Sequence, residues 1–221
     1  MNPAGFQIYE DVLSPQVCET LTHELSSGPC VQGRAGMRHL LRHPAVASFS
    51  RREELLAIAR DWLGAAPVPY RATLFEKSGD RNWLVVPHQD TTLPLSARNA
   101  SPEWGPWSVK EGVTYAYAPA WALSRIIALR VHLDASTPEN GPLRVVPGSH
   151  RAGVLSDEEV FRMAREHPPV ECIVGRGGVM AMRPLLIHAS SKARGPGPRR
   201  VVHIEYAASL DLAPGLTLAM A

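Results

Sequence analysis

A histidine and an aspartate stand one residue apart at the end of an apolar stretch. His88 and Asp90 close the run 82–90, whose composition is typical of a β-strand. On an extended backbone, residues i and i+2 point to the same face, so one imidazole nitrogen and one carboxylate oxygen would converge on one point. His188 ends a second strand-like run, 178–188. Two histidines and one carboxylate would bind a metal ion and leave about half of an octahedral site open.

A second His-x-Asp pair competes with the first. His132 and Asp134 also end an apolar run, and spacing alone does not separate them from His88 and Asp90. Asp134 opens a segment rich in turn residues, where an aspartate commonly hydrogen-bonds to its own backbone. This favours His88 and Asp90 as the ligands. His132 is then expected to be a strand histidine with a structural hydrogen bond.

Three histidines are candidates for the third ligand. His150 lies in a Pro-Gly-Ser-His turn, and His203 lies within a strand, where a buried neutral histidine is the ordinary outcome. His188 precedes the small residues 189–191, which leave room for a metal ion and a further ligand. We therefore expect His188 to complete the site.

Two adjacent arginines begin the last long apolar run, 199–208. Arg199 and Arg200 must face opposite sides of a strand, so only one of them can point into a barrel. A buried arginine beside an open metal site could bind a dicarboxylate through a bidentate, charge-assisted pair. The alternative for both is a basic strand edge that discourages pairing with another strand.

The composition is that of an ordinary globular chain. Its 221 residues suit a single domain, 1–221, and 45% of them are hydrophobic and 20% charged. A net charge of +2 is too balanced to indicate nucleic acid or an anionic membrane as a partner. Cys18, Cys30 and Cys172 form no C-x-x-C pair. No apolar run approaches the ~18 residues that span a membrane, and no signal peptide is evident. We expect a cytoplasmic protein.

The N-terminal part, 1–66, is predicted to be helical and to support a sheet from outside. Ser14 and Pro15 open a first helix. The segment 50–53 has the pattern of a capping box that starts a second helix, and Gly64 is a natural stop. Both helices would place their apolar faces in the core.

From residue 68 onward, short apolar runs alternate with Gly, Pro, Asn and Asp, which indicates a sandwich or barrel over 68–208. The candidate strands are 68–77, 82–88, 125–134, 142–147, 170–174, 178–188 and 199–208. Residues 91–124 interrupt this pattern with five Trp or Tyr residues, four Pro and little strand pattern. Such a segment after a ligand pair is often a lid or substrate wall. The alternative is an Ω-type loop whose aromatic residues only pack on the barrel.

Several short motifs between about residues 70 and 207 add to this interpretation. They are Phe75-Glu-Lys77, Asn82-Trp83, Pro87-His-Gln-Asp90, Glu139-Asn-Gly-Pro-Leu143, Pro147-Gly-Ser-His150, Met182-Arg-Pro184, His188-Ala-Ser190 and Arg199-Arg200. As a set they resemble the phytanoyl-CoA dioxygenase family of Fe(II)/2-oxoglutarate oxygenases. The resemblance implies a mainly β chain with flanking helices, folded as a double-stranded β-helix of the jelly-roll, cupin-like type.

The resemblance also implies a chemistry. His88, Asp90 and His188 would hold Fe(II), and Arg199 would pair with the far carboxylate of 2-oxoglutarate. Further positions similar to the family's cosubstrate contacts are Gln89, Ser190, Lys77 and Asn82. The reaction implied is hydroxylation of a small-molecule substrate with O2, releasing succinate and CO2. A carboxylate ligand at Asp90 disfavours halogenation, because related halogenases have a small residue there.

Two other functional classes remain open at this point. One is a cupin-type metalloenzyme that does not use 2-oxoglutarate, and the other is a non-catalytic jelly-roll binding protein. The family covers acyl-CoA thioesters, small amino acids and secondary metabolites, and no segment of this chain marks a CoA-phosphate site. The sequence identifies neither the primary substrate nor the oligomeric state.

Overall fold

The computed structural model describes residues 2–27, 36–78, 81–99, 101–195 and 197–221. The helices are α1 (Pro15–Ser27), α2 (Pro44–Phe49), α3 (Glu53–Leu63), α4 (Ala120–Leu123) and α5 (Asp157–Glu166), with 3₁₀ turns at Leu40–Arg42 and Ser149–Ala152. The strands are β1 (Phe6–Tyr9), β2 (Gly36–Met37), β3 (Val68–Lys77), β4 (Val85–His88), β5 (Thr92–Leu95), β6 (Trp107–Lys110), β7 (Val113–Tyr117), β8 (Ile126–His132), β9 (Leu143–Val145), β10 (Val170–Cys172), β11 (Val179–Met182), β12 (His188–Ser190), β13 (Arg199–Ala207), β14 (Asp211–Ala213) and β15 (Leu216–Thr217).

Ten of these strands form two antiparallel sheets that enclose a cavity. The larger sheet has the order β1-β11-β8-β13-β3-β2, and the smaller has the order β10-β9-β12-β4. Side chains of β3, β8 and β13 line the cavity from one side, and side chains of β4, β9 and β12 line it from the other. The prediction of a mainly β jelly roll with flanking helices is confirmed.

The N-terminal helices cover the outer face of the larger sheet. Leu21 of α1 and Leu55 of α3 share one buried cluster with Leu129 of β8 and Ile204 of β13. The segment 1–66 is not only helical, however, because β1 pairs with β11 and β2 pairs with β3. These strands complete both edges of the sheet, and they are too short to show a clear alternation in the sequence.

The capping box predicted at 50–53 is wrong. The helix α3 begins at Glu53 without a side-chain cap, and the Ser50 hydroxyl instead donates to the carbonyl of Ala47 at the end of α2. The stop at Gly64 is confirmed, since Gly64 has φ 67° and caps the last turn of α3.

The run 178–188 is not one strand. The strand β11 ends at Met182, and β12 begins at His188 in the opposite sheet. Between them the backbone turns at Arg183 and Pro184, where the Arg183 guanidinium donates to the carbonyls of Ser124 and Ile126. His188 therefore begins a strand and does not end one.

The insertion 91–124 holds more regular structure than its sequence pattern indicates. It contains the three-stranded sheet β5-β7-β6 and the short helix α4. Trp104 and Tyr115 are buried, and the rings of Trp104 and Trp121 meet edge to face at 6.1 Å. The expectation of an irregular segment is wrong, and Trp104 shares a buried cluster with Tyr70 of β3, Ile126 of β8 and Ala207 of β13.

The helices and the cysteines bear on what the composition predicted. No helix in the described part of the chain has the length and apolar character needed to cross a lipid bilayer. Cys18 and Cys172 are free and buried, and Cys30 lies outside the described residues.

Candidate functional site

The predicted ligand pair and the distant third histidine meet at the cavity. The strand β4 ends at His88, and the register of β12 places His188 directly opposite, with ring centroids 4.1 Å apart. Asp90 Oδ1 lies 4.0 Å from His88 Nε2, and Asp90 Oδ2 lies 3.6 Å from His188 Nε2. Among the described residues, this is the group of three potential ligands whose donor atoms all lie within 4.8 Å of one another. The geometry fits a single metal ion.

Both imidazoles are held in the tautomer that a metal ion requires. His88 Nδ1 lies 2.9 Å from the carbonyl oxygen of Val86, and His188 Nδ1 lies 2.8 Å from that of Leu186. Because a carbonyl oxygen only accepts, each Nδ1 carries the proton and each Nε2 presents a lone pair. Burial lowers the pKa of His188 to about 4, despite the opposing effect of Asp90. His188 is therefore neutral at pH 7.

Asp90 completes the metal site as an ionised carboxylate. Its backbone N–H donates to the carbonyl of Pro184 at 2.9 Å, which ties the ligand pair to the turn that precedes His188. Burial alone would raise the pKa of Asp90, but the neighbouring imidazoles, His188 first, and Arg71 hold it below its usual range.

The rival pair His132 and Asp134 has other partners. His132 Nδ1 lies 3.0 Å from the Ser136 hydroxyl, and burial lowers the pKa of His132 to about 3. The Asp134 carboxylate accepts from Arg200 Nε at 2.7 Å and Nη2 at 2.8 Å, so it binds that arginine and not its own turn. The expected structural role of His132 agrees with this arrangement.

The triad opens onto a cavity between the two sheets. The residues that line it are Arg71, Thr73, Phe75, Lys77, Trp83, Val85, His88, Asp90, Arg130, Leu143, His188, Ser190, Arg199 and His203. The larger sheet contributes most of the charged side chains, and Trp83, Val85 and Leu143 supply apolar walls.

One of the two candidate arginines faces this cavity. Arg199 is 3% exposed, and its Nε and Nη1 atoms have no hydrogen-bond partner among the described residues. Arg200 points to the opposite face, where Asp134 binds it. A buried guanidinium with unpaired N–H groups is costly unless an anion completes it. Arg199 therefore suits a carboxylate ligand such as 2-oxoglutarate.

Lys77 and Ser190 lie beside Arg199. Lys77 is the register partner of Arg199, and its Nζ donates to the Ser190 hydroxyl at 2.7 Å and to the Ser191 carbonyl. Burial, followed by the charges of Arg199 and Arg130, lowers the pKa of Lys77 to about 7. These side chains form one polar end of the cavity.

Gln89 and Asn82, expected as cosubstrate contacts, are absent from the cavity lining. The Gln89 amide donates to two backbone carbonyls and accepts from one backbone N–H, all more than sixty residues away in sequence. As the neighbour of His88 in the chain, it points to the other face. Asn82 exchanges two hydrogen bonds of 2.7 Å with the backbone of Ala193. Both side chains hold loops in place.

Sequence reasoning missed a charged group on the inner face of the larger sheet. Arg71 pairs with the buried Glu205, and Arg130 Nη1 lies 3.2 Å from His203 Nδ1. His203 Nε2 lies 3.6 Å from Glu205 Oε1. The signal was present as an alternation, because Arg71, 73, 75 and 77 share one face of β3, and 199, 203 and 205 share one face of β13.

The chain is similar to a known protein family and to several solved structures. Residues 1–201 match the family model described as phytanoyl-CoA dioxygenase (PhyH). AviO1 from Streptomyces viridochromogenes Tue57 is 25% identical, with a TM-score of 0.67 over 95% of this chain and 91% of that one. EctD from S. alaskensis in its apo form is 22% identical, with a TM-score of 0.69 over 93% and 74%. HygX from Streptomyces hygroscopicus, with nickel and 2-oxoglutarate bound, is 20% identical, with a TM-score of 0.66 over 93% and 83%.

No curated protein sequence matches this chain. The family match nevertheless spans nearly its whole length and includes the triad and Arg199. The chain belongs to the phytanoyl-CoA dioxygenase family.

Proposed function

We propose that this chain is an Fe(II)- and 2-oxoglutarate-dependent dioxygenase that hydroxylates a small molecule in the cavity between the two sheets. One observation carries the proposal: a His-Asp-His triad and a buried arginine with unpaired N–H groups line the same cavity. When bound, Fe(II) and 2-oxoglutarate supply O2 activation coupled to release of succinate and CO2. Two solved structures of this fold support the same cofactors. EctD was solved with Fe bound, and HygX was solved with nickel and 2-oxoglutarate bound.

In this proposal His88, Asp90 and His188 hold the metal ion. The hydrogen bonds from the two Nδ1 atoms to backbone carbonyls fix the rings before the metal arrives. Such outer contacts orient the ligands and raise their basicity. These three side chains would supply the protein's ligands to the metal ion.

Arg199 binds the far carboxylate of 2-oxoglutarate, and Lys77 and Ser190 assist it. The three side chains lie at one end of the cavity, and the triad also lines it. A carboxylate bound there would share the cavity with the three metal ligands. A metalloenzyme that does not use 2-oxoglutarate would give Arg199 no ligand. The buried Arg199, whose Nε and Nη1 are unpaired among the described residues, therefore favours the present proposal over that alternative.

The chain folds, in this proposal, as one domain over 1–221, with the insertion 91–124 as a wall of the substrate site. Arg71 connects the two parts, because its Nη1 donates to the carbonyl of Thr92 at 3.1 Å while its guanidinium lines the cavity. The free thiols of Cys18 and Cys172 fit a cytoplasmic location. The partner is a small-molecule substrate, and the proposal involves neither nucleic acid nor membrane.

The test is addition of Fe(II), then 2-oxoglutarate, to the protein without oxygen. We expect a weak visible charge-transfer band that requires both additions and is lost in Asp90→Ala. Metal binding without a band would favour the cupin-type metalloenzyme. Absence of metal binding would favour a non-catalytic binding protein.

Binding of 2-oxoglutarate is expected to take up a proton at pH 8. Lys77, with a pKa of about 7, is mostly neutral there, and a carboxylate beside it favours the charged form. At pH 6 Lys77 is already mostly charged, so the uptake disappears. Calorimetry in buffers of different ionisation enthalpy measures the uptake, and Lys77→Met should remove it. Equal uptake in wild type and Lys77→Met at pH 8 would contradict this role.

A further inference from the structure

The cavity holds a cationic side chain that has no carboxylate partner in the described part of the chain. Four cationic side chains line it: Arg71, Lys77, Arg130 and Arg199. Glu205 pairs with Arg71, and the proposed cosubstrate carboxylate binds beside Arg199 and Lys77. Asp90 is a proposed metal ligand. Arg130 is left without a carboxylate partner among the described residues.

Arg130 is buried and incompletely bonded. It is 5% exposed, and its Nε atom has no hydrogen-bond partner among the described residues. Its Nη1 donates to His203 Nδ1 at 3.2 Å, and a guanidinium only donates, so this ring nitrogen is the acceptor. His203 then directs Nε2–H towards Glu205. The imidazole accepts a hydrogen bond from one N–H group of Arg130, but a neutral ring does not neutralise the guanidinium charge.

Arg130 and Arg199 face the same cavity from neighbouring strands of the larger sheet. Arg130 lies opposite His203, four residues along β13 from Arg199 and on the same face. Its guanidinium carbon lies 5.4 Å from the ring centroid of Phe75, which is one step nearer to Arg199. Burial, followed by the charge of Arg130, lowers the pKa of Arg199.

We propose that Arg130 binds a second carboxylate inside this cavity, separate from the one that Arg199 holds. The inference rests on the proposed function. Two molecules could supply the group: 2-oxoglutarate, through its metal-side carboxylate, or a primary substrate that is itself a carboxylic acid. Either would give a buried guanidinium the anion that its unpaired Nε requires.

Affinity measurements on the Mn(II)-loaded protein test the inference. The ligands are 2-oxoglutarate and 4-oxopentanoate, which keeps the ketone and the far carboxylate but lacks the metal-side carboxylate. The variants are Arg130→Gln and Arg199→Gln, with Arg144→Gln as the matched control, because Arg144 is a nearby arginine that lines a different pocket. Arg130→Lys, which keeps the charge, serves if Arg130→Gln does not fold.

A loss of about tenfold or more in 2-oxoglutarate affinity in Arg130→Gln, with 4-oxopentanoate unaffected, would assign the metal-side carboxylate of the cosubstrate. Unchanged 2-oxoglutarate affinity, with acetate binding to the 2-oxoglutarate-loaded wild type but not to Arg130→Gln, would assign an acidic substrate. If Arg130→Gln matches Arg144→Gln in every titration, the inference is overturned.

A different result would contradict the proposed function. Arg199→Gln should weaken the binding of both 2-oxoglutarate and 4-oxopentanoate, whichever molecule Arg130 binds. If Arg199→Gln changes neither affinity, the cosubstrate site is elsewhere. If Arg199→Gln lowers both affinities and Arg130→Gln lowers neither affinity nor acetate binding, only the second carboxylate site is excluded.

Discussion

Replacement of His188 by alanine is expected to abolish Fe(II) binding and turnover. His188 is 5% exposed, its Nε2 lies 3.6 Å from Asp90, and the Leu186 carbonyl fixes its tautomer. Mutation of residues that only support metal ligands costs roughly 10–100-fold in metal affinity, so loss of a ligand itself should cost about 100-fold or more. Calorimetry with Mn(II), and the Fe(II)–2-oxoglutarate charge-transfer band, measure the loss.

His132→Asn is the matched control for this experiment. His132 precedes an aspartate by two residues, as His88 does, and it is buried, but its Nδ1 is bonded to Ser136. Asparagine retains hydrogen-bonding capacity, and metal affinity should be unchanged. Metal loss in His132→Asn together with retention in His188→Ala, with both variants folded by circular dichroism, would transfer the site to the rival pair.

The convergence of His88 and Asp90 could be predicted from sequence because it depends on local geometry alone. Any extended backbone places His88 and Asp90 on one side. The meeting with His188 depends on the pairing of β12 with β4, a hundred residues apart, which no local pattern specifies. There the prediction came from the small residues that follow His188 and from the similarity to a known family, and the structure brings the three side chains together.

The error over 178–188 has a physical origin. Residues on both sides of the turn are buried, so the apolar run reports burial and not continuous extended structure. Pro184 was the available signal, since a proline removes a backbone donor and rarely lies inside a central strand. The same run therefore supplies strands to two different sheets.

Arg71 and Arg130 were missed for a related reason. On β3, Ala72 and Leu74 face the helices, while Arg71 and Thr73 face the cavity. Alternating apolar and polar residues normally indicate a sheet with one face in water. Here the polar face is enclosed by the second sheet. A sequence does not distinguish bulk water from an internal cavity, so the charges of Arg71 and Arg130 carried no visible function.

Replacement of Arg199 or of Arg200 by glutamine should affect different properties of the protein, binding in the first case and stability in the second. Arg199→Gln is expected to weaken 2-oxoglutarate binding roughly 100-fold, because charge-assisted hydrogen bonds contribute about 1.5–3 kcal/mol each and about 1.4 kcal/mol corresponds to tenfold. It should not destabilise the free protein, since it removes a buried charge whose Nε and Nη1 have no partner among the described residues. Arg200→Gln should leave 2-oxoglutarate affinity unchanged.

The cost of Arg200→Gln should appear in stability instead. Arg200 donates to Asp134 through Nε and Nη2 at 2.7 and 2.8 Å, with both side chains mostly shielded from solvent. Loss of this bidentate pair should lower the free energy of unfolding by about 1–2 kcal/mol, above the usual value for exposed pairs. Calorimetric titration with 2-oxoglutarate and urea unfolding of both variants separate the two effects. The reverse result, weak binding in Arg200→Gln and lost stability in Arg199→Gln, would mean that β13 presents its other face to the cavity, and the whole inward set that includes His203 and Glu205 would then be misassigned.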